Sequence, residues 1–378
     1  MNKLNELIHK YCPNGVEYKK IKDVFHRLRG TPITAGKMKE IESSDGEIRV
    51  FAGGKTVINA KEEDIPNANI IRVPAVLVQS RGVIDVVYYE KPFTFKNEMW
   101  AYTSDNKIAV KFLYYVLKNN IQKFRDAASG MGSLPQISLS ITEEFEVPVP
   151  PLPVQSEIVR ILDNFTELTA ELTAELTARK KQYEYYRDSL YKVDNAEITW
   201  TTLEKISVNC DRQRKPITKG NRVAGKYPYY GASGIVDYVE DYIFDGDYLL
   251  VSEDGANLLA RSTPIAFSIS GKNWVNNHAH VLKFDTYELR RYVEIYLNSI
   301  DLSKYISGGA QPKLNQENLN KIPIPVPSPE RVKYVVSILD RFDTLCHDIS
   351  EGLPAEIEAR QKQYEYYRDK LLSFKEKE

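Results

Sequence analysis

The segment Ala178–Leu190 reads ARKKQYEYYRDSL, and the segment Ala359–Leu371 reads ARQKQYEYYRDKL. Eleven of the thirteen positions are identical, and the second copy begins 181 residues after the first in a chain of 378 residues. A repeat of this length indicates that the chain is built twice over. Duplicated chains tend to present two similar surfaces related by a pseudo-twofold axis, and we expect that arrangement in this protein.

The duplication extends beyond this tyrosine-rich block. Val147–Pro150 matches Ile324–Pro327, and Ile161–Phe165 matches Ile338–Phe342, in both cases at a separation of 177 residues. Between these matching segments the two halves share little sequence. Similar frames with dissimilar inserts predict two globular heads that recognise different targets.

The spacing of apolar residues divides the chain into four parts. Residues 1–153 and 193–329 each contain short β-type runs and then a helical run, which predicts two globular units. Residues 154–192 and 330–378 carry apolar residues at steps of three and four, which predicts two long helices. The expected fold class is α+β, with two globular domains alternating with two long helices that pack as an antiparallel coiled coil.

Proline and glycine mark the boundaries of these parts. The segments VPVPPLP (147–153) and IPIPVPSP (322–329) predict extended spacers, because proline can neither donate to a sheet ladder nor continue a helix. In the last part, Gly352 and Pro354 predict a break, with Pro354 in the first turn of a new helix. Apolar stripes of this length predict a partner helix rather than burial within one domain, and we expect the tyrosine-rich ends to be exposed for a further partner.

Composition indicates a soluble protein with packed cores, since 42% of residues are hydrophobic and 27% are charged. The sequence has no run of eighteen apolar residues. The three cysteines, Cys12, Cys210 and Cys346, are far apart, which fits reduced thiols better than disulfides or a zinc site. We therefore expect a cytoplasmic protein without a membrane-spanning segment.

The net charge is −1, from 51 Lys and Arg against 52 Asp and Glu, and taken alone it argues against a nucleic-acid partner. The charge is unevenly distributed, however. Asp211–Arg222 is strongly basic, whereas acidic residues concentrate at 62–64 and 237–247. A basic cleft is therefore compatible with the near-neutral total.

Catalytic motifs are absent from the sequence. Gly54-Lys55-Thr56 resembles the end of a phosphate-binding loop, but that motif requires glycine where Arg49 stands. HExxH, GxGxxG, GxSxG and the Asn-Pro-Pro-aromatic motif of adenine methylases do not occur. His278 and His280 have no third metal ligand nearby in the sequence, so a structural or DNA-contacting role is favoured. We expect recognition rather than turnover, with no catalytic residue and no metal.

These features resemble the specificity subunit of type I restriction-modification systems, which alternates two variable target recognition domains with two conserved helical regions. The matching phrases are the TAEL repeat at 169–176, LPAEIEARQKQYEYYRDKLL at 353–372, the proline-rich segment before each helix, GASG at 231–234, DGANL at 254–258 and WVNNHAH at 274–280, with weaker matches at QSRG (79–82) and KPF (91–93). Under this resemblance the parts are target recognition domain 1 (1–153), the central spacer (154–192), target recognition domain 2 (193–329) and the C-terminal spacer (330–378).

The resemblance implies a non-catalytic protein within a larger complex. Each head would read one half of a bipartite double-stranded DNA sequence, and the helices would hold two methyltransferase subunits and, in the full complex, restriction subunits. S-adenosylmethionine, ATP and magnesium would be bound by those partners, so no cofactor is expected in this chain. The residues expected to bind partners are Tyr183, Tyr186, Arg187, Tyr364, Tyr367 and Arg368.

The long helices are also expected to act as a ruler between the half-sites. One TAEL tetrad adds about 6 Å of rise and about 400° of turn, a net rotation of about 40°. One base pair of DNA turns about 36° and advances about 3.4 Å. We therefore expect one tetrad to correspond to one base pair of spacer, the alternative being a tolerated extension of the helix.

Glycine-flanked polar loops are favoured for DNA contact, because glycine allows the backbone to approach phosphate and Arg, Asn and Gln can pair with purines. The candidates in the first head are Lys55, Gln79, Arg81, Lys96, Asn97, Arg125, Ser133 and Gln136. The candidates in the second head are Arg212, Arg214, Lys215, Lys219, Arg222, Tyr229, Tyr230, Ser233, Arg261, Asn276, Asn277, His278, Gln311 and Lys313. Trp274 and the helix tyrosines are expected to pack or to contact partners.

Two alternatives remain open. A two-headed coiled-coil scaffold would bind protein partners, and a mobility-shift assay with bipartite DNA distinguishes it from a DNA reader. A fused restriction enzyme would carry its own catalysis, but the chain is too short for a methylase domain and lacks its motif.

Overall fold

The structure is a computed structural model that describes residues 2–54, 56–129, 134–192, 198–308 and 311–377. The helices are α1 (Asn2–Tyr11), α2 (Ile21–Val24), α3 (Ala35–Ile41), α4 (Lys107–Asn119), α5 (Ile121–Asp126), α6 (Leu139–Glu143), α7 (Leu152–Tyr191), α8 (Leu203–Ile206), α9 (Asn257–Ala260), α10 (Tyr287–Ser299), α11 (Gln316–Asn320), α12 (Pro329–His347) and α13 (Leu353–Leu371). Short 3₁₀ turns lie at 62–64, 211–213, 219–221 and 303–305.

The chain has nineteen strands in the described residues. They are β1 (Tyr18–Lys20), β2 (His26–Leu28), β3 (Ile48–Phe51), β4 (Val57–Ala60), β5 (Ala75–Gln79), β6 (Asp85–Tyr89), β7 (Phe93–Phe95), β8 (Trp100–Thr103), β9 (Glu146–Pro148), β10 (Thr199–Thr202), β11 (Val208–Asn209), β12 (Ala224–Gly231), β13 (Gly234–Val239), β14 (Phe244–Asp245), β15 (Tyr248–Ser252), β16 (Ala266–Ile269), β17 (Lys272–Val275), β18 (Ala279–Lys283) and β19 (Pro323–Val326).

The chain divides into two compact units. The first consists of Met1–Thr173 with Ile357–Glu378, and the second consists of Ala174–Glu356. Each unit therefore contains one head and two helical segments. The continuous helix α7 contributes its first part to the first unit and its last part to the second.

The first head is built on two sheets. The strands β2-β8-β5-β6 form an antiparallel sheet. The strands β4-β3-β7 form a second sheet, in which β3 is antiparallel to β4 and parallel to β7. Both faces of β5 are buried, because Val76 and Val78 face the helical core while Ala75 and Leu77 face an aromatic cluster with the second sheet. This explains why its sequence reads as a continuous apolar run.

The second head repeats this plan. The order β11-β18-β15-β16 matches the first sheet strand for strand, and β13-β12-β17-β14 forms the companion sheet. The same alternation divides β15, with Leu249 and Val251 in one core and Leu250 in the other. Helix α10 follows, and the hydroxyl of Thr286 caps it by accepting from the Leu289 amide at 3.1 Å.

The proline-rich segments are strands, which corrects the prediction of extended spacers. Residues of β9 pair with β1, and β19 pairs with β10, each in a two-stranded antiparallel sheet. Strands of two-membered sheets tolerate proline because one edge of each strand needs no ladder donor. The long helices then begin directly, α7 at Leu152 and α12 at Pro329, where proline suits the first turn.

The helical segments pair within each unit in equivalent ways. In the first unit, Phe165 of α7 stacks on Tyr367 of α13, with ring centroids 5.6 Å apart. In the second unit, Phe342 of α12 packs on Tyr186 of α7 at 5.5 Å. Residues later on α7 meet earlier ones on α12, since Tyr183 contacts His347 while Tyr186 contacts Phe342, so the pairing is antiparallel.

The predicted interruption of the last helix is confirmed. Helix α12 ends at His347, and α13 starts at Leu353 with Pro354 in its first turn. The amide of Gly352 donates to the carbonyl of Asp348 at 3.1 Å, which closes the turn between them. Within the described residues, no helix combines the length and apolarity needed to cross a membrane.

Candidate nucleic-acid interface

In both heads one turn carries the same hydrogen bond to a following loop. In the first head, the amide of Gly82 donates to the carbonyl of Pro135 at 2.9 Å, and Arg81 forms a β-bridge with Gln136. In the second head, Gly255 donates to Pro312 at 3.1 Å, and Asp254 bridges Lys313. We call these two places the loop ends of the heads. Each loop end brings residues predicted to contact DNA together from segments that are far apart in the sequence, such as Arg81 and Gln136 in the first head.

The loop end of the first head combines exposed and anchored side chains. Arg81, Asn97 and Gln136 are exposed. The Lys96 ammonium lies 3.0 Å from Glu98, whose carboxylate also accepts from the Gly53 amide. Burial would raise the pKa of Glu98, but Lys96 and the backbone amides outweigh it and hold that pKa below its ordinary value.

Of the other residues of the first head that were predicted to contact DNA, the two that the structure describes are not exposed at its loop end. Gln79 is buried, which leaves little of its side chain for a ligand. Arg125 lies on α5 and donates to the carbonyl of Ile84 at 3.1 Å. Lys55 and Ser133 lie outside the described residues, so the predictions for them stay predictions.

The basic segment of the second head lies over the companion sheet. The indole of Trp274 donates to the carbonyl of Lys215 at 2.5 Å, and the Lys215 amide donates to Val275. The prediction that Trp274 packs is thereby confirmed. This anchoring leaves the side chains of Arg212, Lys215 and Lys219 exposed.

Tyr229 corrects one prediction of DNA contact. It is 1% exposed, and its hydroxyl accepts from the Ile217 amide at 2.9 Å. Its ring also supports the guanidinium of Arg222 at 4.4 Å from the centroid. An aromatic side chain enclosed in this way supports the basic segment from below and cannot reach a base.

Three predicted arginines are engaged by protein acceptors, and their assignment as DNA contacts stays a prediction. Arg214 pairs with Glu253 at 2.6 Å and with Asp211 at 3.2 Å. Arg222 pairs with Asp237 at 3.1 Å. Arg261 donates to the carbonyls of Leu297 and Ile300 at the end of α10, where a cation offsets the helix dipole. Sequence alone could not distinguish such arginines from free ones.

The remaining candidates of the second head surround its loop end. Ser233, Asn277 and Gln311 are exposed, and Tyr230 is half-buried. Asn276 is buried, and its side-chain oxygen accepts from the His278 amide at 2.8 Å. The His278 ring lies 2.9 Å from the Asp254 carboxylate, and Lys313 lies 3.1 Å from Glu253.

A buried charged cluster below this loop end was missed in the sequence. His280, Asp211 and Glu253 lie within reach of one another, with His280 Nδ1 2.6 Å from Asp211 Oδ2. The three donor atoms could hold a cation, but the carboxylates already pair with Arg214 and Lys313. These pairings supply the compensating charge that a metal ion would otherwise provide.

The tyrosine-rich blocks face inward more than expected. Tyr183, Tyr364 and Tyr367 are half-buried and pack against Phe342 or Phe165 within their units, and their assignment to partner binding stays a prediction. Tyr364 and Tyr367 are three positions apart, which places both on the same face of α13, towards Phe165 of α7. Tyr186 is partly exposed, and Arg187 and Arg368 pair with the aspartates that follow them, so these three stay predictions.

The outward tyrosines are instead Tyr185 and Tyr366, which are 68% and 60% exposed. They occupy the same position of the two repeats. Each ring rests edge-on against the next tyrosine, at 5.6 Å in the first block and 5.3 Å in the second. The duplication therefore presents two equivalent aromatic side chains to solvent.

Comparison with known proteins identifies the family. The family model described as the type I restriction modification DNA specificity domain matches residues 13–179 and 192–359. The EcoR124I/EcoR124II specificity subunit of Escherichia coli is 36% identical over 295 residues, covering 71% of this chain and 72% of that protein. The EcoprrI specificity subunit of Escherichia coli is 36% identical over 260 residues, covering 64% and 63%.

Solved structures share the fold. The crystal structure of the type I restriction-modification S subunit from M. genitalium superposes with a TM-score of 0.64 at 18% identity, covering 95% of this chain and 96% of that one. The matched family segments cover both heads and the greater part of the helices. This chain belongs to the family of type I restriction-modification DNA specificity subunits.

Proposed function

We propose that this chain is the non-catalytic subunit that chooses the DNA sequence for a type I restriction-modification complex, each head reading one half of a bipartite target. The observation that carries this proposal is the pair of loop ends. Their backbone frames are equivalent, at Gly82–Pro135 and Gly255–Pro312, while the exposed side chains around them differ. Equivalent frames with unlike polar groups suit two readers of unlike sequences.

The chemistry of the exposed groups fits base reading. Arg81 and Asn97 in the first head, and Arg212 and Asn277 in the second, are exposed side chains of the kinds that pair with guanine and adenine. Lys215 and Lys219 add charges suited to phosphate, which fixes position without reading sequence. The proposed domains are 1–153 and 193–329 as readers, with 154–192 and 330–378 as spacers.

The partners follow from the same assignment. We propose two methyltransferase subunits on the helices and restriction subunits in the full complex, with S-adenosylmethionine, ATP and magnesium held by those partners. The equivalent exposed tyrosines, Tyr185 and Tyr366, support two copies of one docking site, because aromatic rings are frequent anchors of protein interfaces. A DNA partner and the three buried free cysteines also fit action in the cytoplasm.

Methylation sequencing tests the proposal. The chain is expressed with its methyltransferase partner in a host without adenine methylation, and the methylated adenines are mapped. A bipartite motif with a fixed spacer is expected. Arg81→Ala should relax the motif in one half only, and Asn277→Ala in the other. The proposal fails if no bipartite motif is methylated, or if both variants alter the same half.

The two-headed protein scaffold is the competing interpretation. It predicts that neither the chain nor its complex with the methyltransferase shifts bipartite DNA in a mobility-shift assay. A shift abolished by scrambling either half-site excludes that interpretation.

A further inference from the structure

The charged cluster below the second loop end places one histidine between two acceptors. His280 Nδ1 lies 2.6 Å from Asp211 Oδ2, and Nε2 lies 2.7 Å from the carbonyl oxygen of Leu314. The side chain is 1% exposed, so water cannot replace either partner. Each ring nitrogen is therefore engaged by a partner from a different segment of the chain.

Charged groups surround the ring. Glu253 lies 3.8 Å from His280 Nδ1, and Asp211 lies closer. Burial would raise the pKa of Asp211, but the contact with His280, the hydrogen bond from the Val281 amide and the charge of Arg214 together outweigh burial and lower that pKa. Arg214 and Lys313 face the same carboxylates and complete the charged groups around the ring.

The contacts of His280 tie together segments that carry the exposed candidates. Asp211 begins the basic segment, and its Oδ1 accepts from the Val281 amide at 2.8 Å. Leu314 follows Lys313, which exchanges backbone hydrogen bonds with Ser307, and the Leu314 amide donates to the carbonyl of Glu253. Arg214 adds a hydrogen bond to the carbonyl of Ala279 at 2.8 Å. The ring therefore cross-links the supports of the second loop end.

The first head has no such device at the equivalent place. His280 pairs with Val251 of β15 in the second head, and Trp100 pairs with Val78 of β5 in the first head. The two pairs therefore occupy equivalent positions in equivalent sheets. The Trp100 indole has a single donor, and it bonds the hydroxyl of Thr142 at 2.8 Å. At this strand position, a link between two separate segments is therefore present in the second head, whereas the first head has a single hydrogen bond.

We propose that His280, through its two buried contacts, is the positioning residue for base recognition by the second head. It holds the basic segment in register with the segment at Lys313 and Leu314, and recognition of one half-site depends on its two hydrogen bonds. This inference rests on the proposed function, since it concerns how one of the two readers is kept in shape.

Two variants test the link. His280→Gln removes the ring, and Asp211→Asn changes one of its two partners. Urea denaturation of the full chain first shows that each variant is folded, and a folded variant is then used to measure recognition.

Recognition is measured on the complex with the methyltransferase, using duplexes with a matched site or with either half-site altered. His280→Gln should reduce discrimination at the second half-site by about tenfold or more, the worth of one good base contact. Discrimination at the first half-site should stay within about twofold. His9→Gln, an exposed histidine on α1, is the matched control and should change neither.

The outcomes separate the two proposals. If the unaltered complex discriminates neither half-site, the proposed function fails. If it discriminates both, and folded His280→Gln does so equally well, the function stands and the positioning role of His280 is wrong. A loss of discrimination at both half-sites points to general destabilisation and also overturns the role.

Discussion

Gly82 and Gly255 occupy the same place in the two heads, and each donates its amide hydrogen to the carbonyl of a proline in the following loop. Both have left-handed backbone angles, with φ of 79° and 108°. Glycine adopts such angles without the steric cost that a Cβ atom brings. The glycine and the hydrogen bond together define each loop end.

Gly255→Ala should therefore lower the free energy of unfolding by about 1–2 kcal/mol. No atom lies within 4 Å of a Cβ added at this position, so the loss comes from backbone strain rather than from a clash. Gly220→Ala is the control, because it is equally open and lies outside the left-handed region. Urea denaturation measures both, and equal stability of the two variants would contradict this account.

Neighbouring tyrosines on α13 should behave oppositely. Tyr367→Ala removes the ring stacked on Phe165 and should lower the free energy of unfolding by about 2 kcal/mol, less than a fully buried aromatic. Tyr366→Ala should leave it within about 0.5 kcal/mol, because that ring is exposed. Under the proposed docking site, Tyr366→Ala should instead weaken methyltransferase binding by about tenfold or more in a titration. Unchanged binding would exclude Tyr366 from the interface.

Acid should destabilise the first unit through Glu157. The hydrogen bond from Arg160 outweighs desolvation, and with Lys3 it lowers the pKa of Glu157 from 4.5 to about 2. A lowered carboxyl pKa stabilises the fold above its unfolded value, and that contribution is lost as the pH falls from about 4.5 towards about 2. In urea denaturation, the midpoint concentration should rise less steeply with pH in this window for Glu157→Gln than for the unaltered chain. Glu167→Gln, at an exposed position of α7, should show the same pH dependence of the midpoint as the unaltered chain.

Lysine substitutions should change the salt dependence of DNA binding without changing sequence preference. Each of Lys215→Gln and Lys219→Gln should reduce the slope of log affinity against log salt by about one, as expected for one lost phosphate contact. Lys321→Gln is the control, because its ammonium pairs with Glu317 on α11. A changed methylation motif in either variant would show that the substituted lysine contacts a base rather than a phosphate.

The tetrad repeat gives a test of the ruler. Duplicating Thr173–Leu176 should lengthen the spacer of the methylated motif by one base pair and keep both half-sites, because one tetrad and one base pair turn by similar angles. Methylation sequencing of the variant measures both quantities. A changed half-site with an unchanged spacer argues against the helices as a ruler.

Much of the fold could be predicted from local pattern. Strand β5 follows from its sequence, because the apolar run Ala75–Val78 between Pro74 and Gly82 has few alternatives to a buried strand. The break before Pro354 was equally clear, since proline cannot continue a helix. The strands β9 and β19 were missed, because prolines argue against pairing unless the partner strand is known.

The candidate site depended more on tertiary contacts. Arg214 and Arg212 are two residues apart in one basic segment, yet one is enclosed by Asp211 and Glu253 while the other is exposed. No local pattern distinguishes them, since the acceptor Glu253 lies 39 residues away. The sequence likewise favours a structural or DNA-contacting role for His280, but the partners of its ring come from residues 211 and 314.

The sequence by itself determined the duplication, the alternation of heads and helices, and the family, because these follow from repeats and from the periodicity of apolar residues along the chain. Only the tertiary structure decided which tyrosines pack and which face solvent, which arginines are already paired, and which histidine lies between two acceptors. Those properties depend on contacts between residues that are far apart in the sequence. Such contacts, rather than neighbours in the sequence, determine which charges pair and which side chains are buried.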